Sequence, residues 1–113
     1  MNDTRQKFVA FADEAVRKAF DKLKEGKFED KKMYGLINRA IKDMKQNPFI
    51  GIHIPRRVWP KVYVQKYDIN NLWKYDLPNG WRLLYTVRGS EIEIVSIILE
   101  WMDHTEYNRR FKY

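Results

Sequence analysis

The sequence has 113 residues, a length that suits one domain over 1–113 with a two-layer core, and 44% of them are hydrophobic, which excludes a disordered tail. Lys and Arg number 22 against 15 Asp and Glu, and the charge of +7 directs attention to polyanionic partners such as nucleic acid. There is no cysteine and there are two histidines, which excludes disulfides, thiol nucleophiles and Cys-based zinc, and neither a structural metal nor a cofactor is expected.

No apolar run approaches the roughly 18 residues of a membrane span, and Met1 to Lys7 does not open a signal peptide, so a cytoplasmic chain without a membrane partner is expected. Residues 7–12 are β-leaning. Asp13 is placed to cap a helix over 14–25, in which Val16, Ala19, Phe20 and Leu23 form one apolar stripe and Gly26 suits the stop. A second helix is expected over 30–46, with Met33, Leu36, Ile37, Ala40, Ile41 and Met44 on its buried side and Asn47-Pro48 ending it. The cations of both helices alternate with acids and read as a solvated surface.

From His53 to Lys66 the composition changes. Arg56, Arg57, Lys61 and Lys66 occur with no acid before Asp68, and Trp59, Tyr63 and Tyr67 are interleaved with them. Cations for phosphates beside aromatics for stacking is the composition of a single-strand RNA surface. The same residues also fit a basic loop anchored by packed aromatics. A short helix is expected over 60–67, with Pro60 at its first position.

Residues 72–87 together with 91–99 have the pattern of an antiparallel meander. Pro78-Asn79-Gly80 supplies the first turn, since Pro fixes φ and Asn and Gly tolerate positive φ. Arg88-Gly89-Ser90 supplies the second. In the middle strand Trp81, Leu83, Tyr85 and Val87 share one face, and Arg82, Leu84 and Thr86 the other.

Beyond the meander, Asp103 suits the cap of a terminal helix on which His104 and Tyr107, three residues apart, share a face. Together with Arg82 they offer a group that titrates near neutrality, a phenol and a fixed cation. Arg109 and Arg110 add two further cations to the candidate RNA-binding set of Arg56, Arg57, Trp59, Lys61 and Lys66.

The order of strand, two helices and meander, with the aromatic-Arg-Leu-x-Tyr run Trp81 to Tyr85 and the later His104-x-x-Tyr107, resembles the RelE/ParE superfamily of type II toxins over about residues 7–111. The resemblance implies an α+β fold, with two N-terminal helices packed on a small, mainly antiparallel sheet and a short C-terminal helix. It also implies an antitoxin partner and, for RelE-like members, cleavage of mRNA on the ribosome. Carried over by position, the catalytic cations fall on Arg82 and Lys74 and the terminal pair on His104 and Tyr107. A second lysine often present two residues after the first is Asp76 here, which leaves Asp76 as an alternative base or as a partner of Arg82.

The implied reaction is attack of a ribose 2′-OH on its own 3′ phosphate, giving a 2′,3′-cyclic phosphate and a 5′-OH. It requires a base, cations for charge building on phosphorus and an acid for the leaving oxygen, all of which side chains can supply. Two rivals remain: a ParE-like gyrase inhibitor, against which the His104/Tyr107 pair argues, and a non-catalytic RNA-binding or degenerate toxin, for which Asp76 argues.

Overall fold

The computed structural model describes residues 4–113, so the first three residues of the segment read for a signal peptide lie outside it. In chain order the elements are β1 (Gln6–Phe11), α1 (Glu14–Leu23), α2 (Phe28–Gln46), β2 (Ile52–His53), α3 (Lys61–Tyr67), β3 (Trp73–Asp76), β4 (Arg82–Gly89), β5 (Glu93–Met102) and α4 (His104–Arg110). Single 3-10 turns occur at Arg56–Val58 and Pro78–Gly80. The five strands form one sheet in the order β1-β5-β4-β3-β2, in which β1 is parallel to β5 and every other pair is antiparallel. The architecture is the expected α+β arrangement of a mainly antiparallel sheet with two N-terminal helices against it.

Local chemistry explains where the helices begin and end. The Asp13 carboxylate accepts a hydrogen bond from the Val16 amide at 2.9 Å, which fixes the start of α1. α1 stops at Leu23 rather than at residue 25, because the amides of Lys24, Glu25 and Gly26 bond to the carbonyls three residues back. α2 begins at Phe28, ahead of the expected residue 30. Pro60 is the N-cap of α3, one position outside the helix where the sequence placed it.

On β4 the period of two holds. Leu83, Tyr85 and Val87 face the helices and form one buried core with Phe20, Ile37, Ala40, Met44, Leu77, Ile94 and Ile98. The expected two-layer core is incomplete, for the opposite face of the sheet is covered as well. There Leu84, Leu99 and Met102 pack with Ile54, Val58, Tyr63, Ile69, Leu72, Tyr107 and Phe111, so that α3 and α4 form a third layer. Each fully buried Leu or Ile side chain contributes about 1.5–3 kcal/mol.

β5 also runs on to Met102, past the expected end at Leu99. A bulge lies opposite Leu84 and Tyr85, where Leu84 pairs with Glu100 and Tyr85 with Ile98. The extra residue, Leu99, breaks the alternation: Ile98 serves the first core, while Leu99 and Glu100 both turn to the second face, Glu100 meeting Tyr63 and Arg110 there. The second turn falls after Gly89, where the Ser90 amide bonds to the Glu93 carbonyl at 2.8 Å. The first turn is as read, with Asn79 at φ 64° and Gly80 at φ 80°.

β2 occupies residues that the sequence left as loop, pairing Ile52 with Lys74 and His53 with Trp73. Gly51 permits this approach, since a Cβ there would meet the Lys74 carbonyl at 2.5 Å and the Tyr85 hydroxyl at 2.7 Å. Among the described residues no helix is long and apolar enough to cross a membrane.

Candidate functional site

The β3–β4 hairpin brings three of the singled-out residues together on the face away from α1 and α2. Lys74 and Asp76 share that face because they are two apart on one strand, and the register sets Asp76 directly opposite Arg82. Asp76 Oδ1 lies 3.0 Å from Lys74 Nζ and 3.2 Å from Arg82 Nε, and Oδ2 lies 3.3 Å from Lys74 Nζ. The carboxylate is the outermost of the three, its side chain 45% exposed against 15% for Lys74 and 24% for Arg82. The contact to Arg82 is an ion pair without hydrogen-bond alignment, and the buried Nε has no hydrogen-bond partner. Arg82 also donates a long hydrogen bond from Nη1 to the Trp81 carbonyl at 3.4 Å.

α4 supplies the side of the site opposite the hairpin. Asp103 caps it as expected, accepting from the Glu106 amide at 2.9 Å. Tyr107 is buried, stacks on Phe111 with ring centroids 4.3 Å apart, and presents its face to both cations, with Arg82 Cζ at 5.7 Å and Lys74 Nζ at 5.8 Å from the ring centre. Burial pushes the Tyr107 phenol above its ordinary range, as does its 2.5 Å hydrogen bond with the Tyr113 hydroxyl, while Arg82 opposes the shift. Tyr107 is therefore a neutral aromatic wall at physiological pH.

His104 is exposed, at the first position of α4, with its imidazole against the hairpin turn: a Cβ on Gly80 would lie 2.7 Å from His104 Nδ1. The last helix thus meets the Pro78–Gly80 turn two residues before Arg82, with the imidazole against that turn. His104 and Tyr107 stand on the same helix at different depths, one at the surface and one in the core.

A second polar group, which the sequence did not single out, fixes α4 on the sheet. Glu100 accepts a very short hydrogen bond from the buried Tyr63 hydroxyl and pairs with Arg110 Nη1 at 2.7 Å. A lone acid between Leu99 and Trp101 in an apolar strand is the signal in the sequence, and the bulge is what turns it toward α4. Tyr113, bonded to Tyr107, was missed as well. Tyr85 of the aromatic-Arg-Leu-x-Tyr run is fully buried; its hydroxyl donates to the Pro48 carbonyl at 2.8 Å and accepts from the Gly51 amide at 3.0 Å, so it holds the loop before β2.

The candidate RNA-binding residues are spread more widely. Arg56, Arg57 and Lys61 are exposed. Trp59 is partly buried, donates its indole N–H to the Ile54 carbonyl at 2.8 Å and carries the Arg56 guanidinium 4.7 Å from its ring centre. Tyr63 is 1% exposed and unable to stack on a base. Lys66 lies 3.6 Å from Asp13 at the start of α1, Arg109 pairs with Glu106 on its own helix, and Arg110 is held by Glu100. Among the described residues no three His, Cys, Asp or Glu side chains are grouped as metal ligands.

Comparison with known proteins identifies the chain as a type II toxin of the RelE/ParE-related superfamily. Within it, the chain belongs to the YoeB-like toxins of bacterial type II toxin-antitoxin systems, whose family model matches residues 16–101. The match takes in Lys74, Asp76 and Arg82 and ends before His104 and Tyr107. Neither a curated protein nor a solved structure matches the chain significantly.

Proposed function

We propose that this toxin, acting as a single domain in the cytoplasm, is an endoribonuclease that cuts mRNA on the ribosome by 2′-OH attack and so stops translation. The observation that supports this most directly is that one carboxylate oxygen lies within 3.2 Å of both the Lys74 ammonium and the Arg82 guanidinium. Two cations that converge on one oxygen anion have the geometry for a phosphate oxygen, and charge developing there in the transition state is stabilised by donors already in place. Arg82 keeps its charge throughout, and Lys74 complements it as a point charge. His104, against the turn, is the acid for the 5′ oxygen or the base for the 2′-OH, and Asp76 is the alternative base. Tyr107 orients the bases or sugar against its face.

The exposed Arg56, Arg57 and Lys61 hold flanking RNA or ribosomal RNA, with Trp59, Lys66, Arg109 and Arg110 as the remaining members of the set. A type II toxin is partnered by an antitoxin. An acidic antitoxin segment over the Lys74 and Arg82 pair would compete with RNA for the same charges, and complementary charge would speed its association.

Arg82→Ala and His104→Ala each test the reading. Either variant, folded by circular dichroism, should lose about 10²–10⁴-fold in mRNA cleavage on induction, with growth arrest relieved. The double variant should be little worse than either single, as for groups that serve one transition state. Folded variants that still arrest growth while mRNA stays intact would point instead to gyrase inhibition or to binding alone.

A further inference from the structure

We propose that Asp76 is an internal counter-anion whose carboxylate occupies the position an RNA phosphodiester takes between Lys74 and Arg82, so that it sets how tightly the site holds RNA. The inference rests on the ribonuclease reading above and assigns Asp76 a role other than the base. Its two oxygens lie 3.0 and 3.3 Å from Lys74 Nζ, Oδ1 lies 3.2 Å from Arg82 Nε, and the side chain is 45% exposed against 15% and 24% for the two cations. An incoming phosphate therefore meets the carboxylate before it meets the cations. The carboxylate is also poorly seated on Arg82: Oδ1 lies 3.2 Å from the buried Nε, but the N–H is not aligned on it and forms no hydrogen bond. A phosphodiester with tetrahedral oxygens can align with a guanidinium edge and take that unused donor.

The exchange has two consequences. With Asp76 in place the cluster offers one net positive charge rather than two, so the phosphate binds against competition. And because the cations are compensated by a tethered carboxylate, fewer mobile ions are released on binding than the number of phosphates engaged implies. Asp76 thus lowers affinity for any single-stranded RNA and leaves productive binding to depend on cations elsewhere, which the exposed Arg56, Arg57 and Lys61 can supply.

The test is binding of a single-stranded 2′-deoxy oligonucleotide, which cannot be cleaved, to the purified toxin and its Asp76→Asn, Asp76→Glu, Lys74→Ala and Arg82→Ala variants, by fluorescence anisotropy over a range of salt. Asp76→Asn should bind about two- to fivefold more tightly at low salt. Its slope of log K against log salt should steepen by about 0.7. It should also lower the RNA concentration that gives half-maximal cleavage, whereas Asp76→Glu should behave as the parent does. Should Asp76→Asn melt early, Asp76→Ser is read in its place. Unchanged affinity and slope for Asp76→Asn, while Arg82→Ala weakens binding, would overturn the inference and leave the ribonuclease reading standing. Unchanged binding with cleavage slowed about 100-fold would make Asp76 the base and would also overturn it. If Arg82→Ala and Lys74→Ala leave binding unaffected and no mRNA is cut on induction, the ribonuclease reading itself fails, and the inference with it.

Discussion

Tyr107 shows how a single side chain takes its part from what surrounds it. Its ring lies under two cations and against Phe111, and burial with the Tyr113 hydrogen bond keeps the phenol protonated. On the ribonuclease reading proposed above, a phenol so disposed would serve by position rather than by proton transfer. Tyr107→Phe should therefore keep most of the cleavage activity, while Tyr107→Ala, which removes the wall that fixes substrate, should lower it about 10- to 100-fold. A primer-extension assay of induced cells measures both; a Phe variant as poor as the Ala variant would show the hydroxyl taking part in the chemistry. Tyr75, on the helix side of the hairpin, is pushed up to about 12 by burial and by its 2.6 Å hydrogen bond to the Asp43 carboxylate. Because the folded value exceeds the ordinary value of about 10, the neutral phenol stabilises the fold fully below pH 10, and that contribution is lost between pH 10 and 12. Urea unfolding over this window should fall more shallowly for Tyr75→Phe than for the parent. A slope as steep as the parent's would place the alkaline loss wholly on the other buried tyrosines.

At the level of elements, the site is an encounter between the β3–β4 hairpin and the start of α4. The hairpin presents Lys74, Asp76 and Arg82; the helix presents His104 and Tyr107. They meet at the turn, where Gly80 has a positive φ of 80° and a Cβ would lie 2.7 Å from His104 Nδ1. Gly80→Ala meets both obstacles. Strain in the turn should cost about 1–2 kcal/mol, a loss of several degrees in Tm. Displacement of the imidazole should reduce cleavage by up to about 100-fold, beyond what the small loss of folded protein explains. Thermal melting and cleavage measured on the same preparation separate the two effects, and a variant that melts early yet cuts normally would remove His104 from the reaction. The bonds of Glu100 to Tyr63 and Arg110 keep α4 at its distance from the hairpin, so the bulge in β5 that turns Glu100 toward the helix contributes indirectly to the site.

Across the whole molecule the net charge of +7 is unevenly used. Lys66, Arg109 and Arg110 have acidic partners within the chain, whereas Arg56, Arg57 and Lys61 lie exposed around a short turn and the first turn of α3. Replacing these three by Ala should weaken ribosome or RNA association and reduce the slope of log K against log salt by roughly 0.7–0.9 for every phosphate that is no longer neutralised. The melting temperature should hardly change, since exposed charges contribute little to stability. A slope equal to the parent's would return the segment to a solvated loop.

Much of the scaffold is legible in local chemistry. The Asp13 and Asp103 caps, the Asn79-Gly80 turn and the alternation of Leu83, Tyr85 and Val87 each depend on residues within a few positions, so their spacing carries the structure. The same alternation sets Arg82 on the face away from α1 and α2, and the short reach of a hairpin makes its pairing with Asp76 foreseeable as one of two alternatives. Tertiary structure decided the rest. The parallel pairing of β1 with β5 joins the two ends of the chain, and no local pattern records it. Trp59, Tyr63 and Tyr67 have the composition of a stacking surface, yet Trp59 is turned inward with its indole N–H on the Ile54 carbonyl, and Tyr63 is buried because Phe111 and Glu100 offer it an apolar neighbour and a hydrogen-bond partner. Whether an aromatic is a binding group or a core group depends on what covers it, and that cover comes here from residues far along the chain, beyond the range over which periodicity and spacing act.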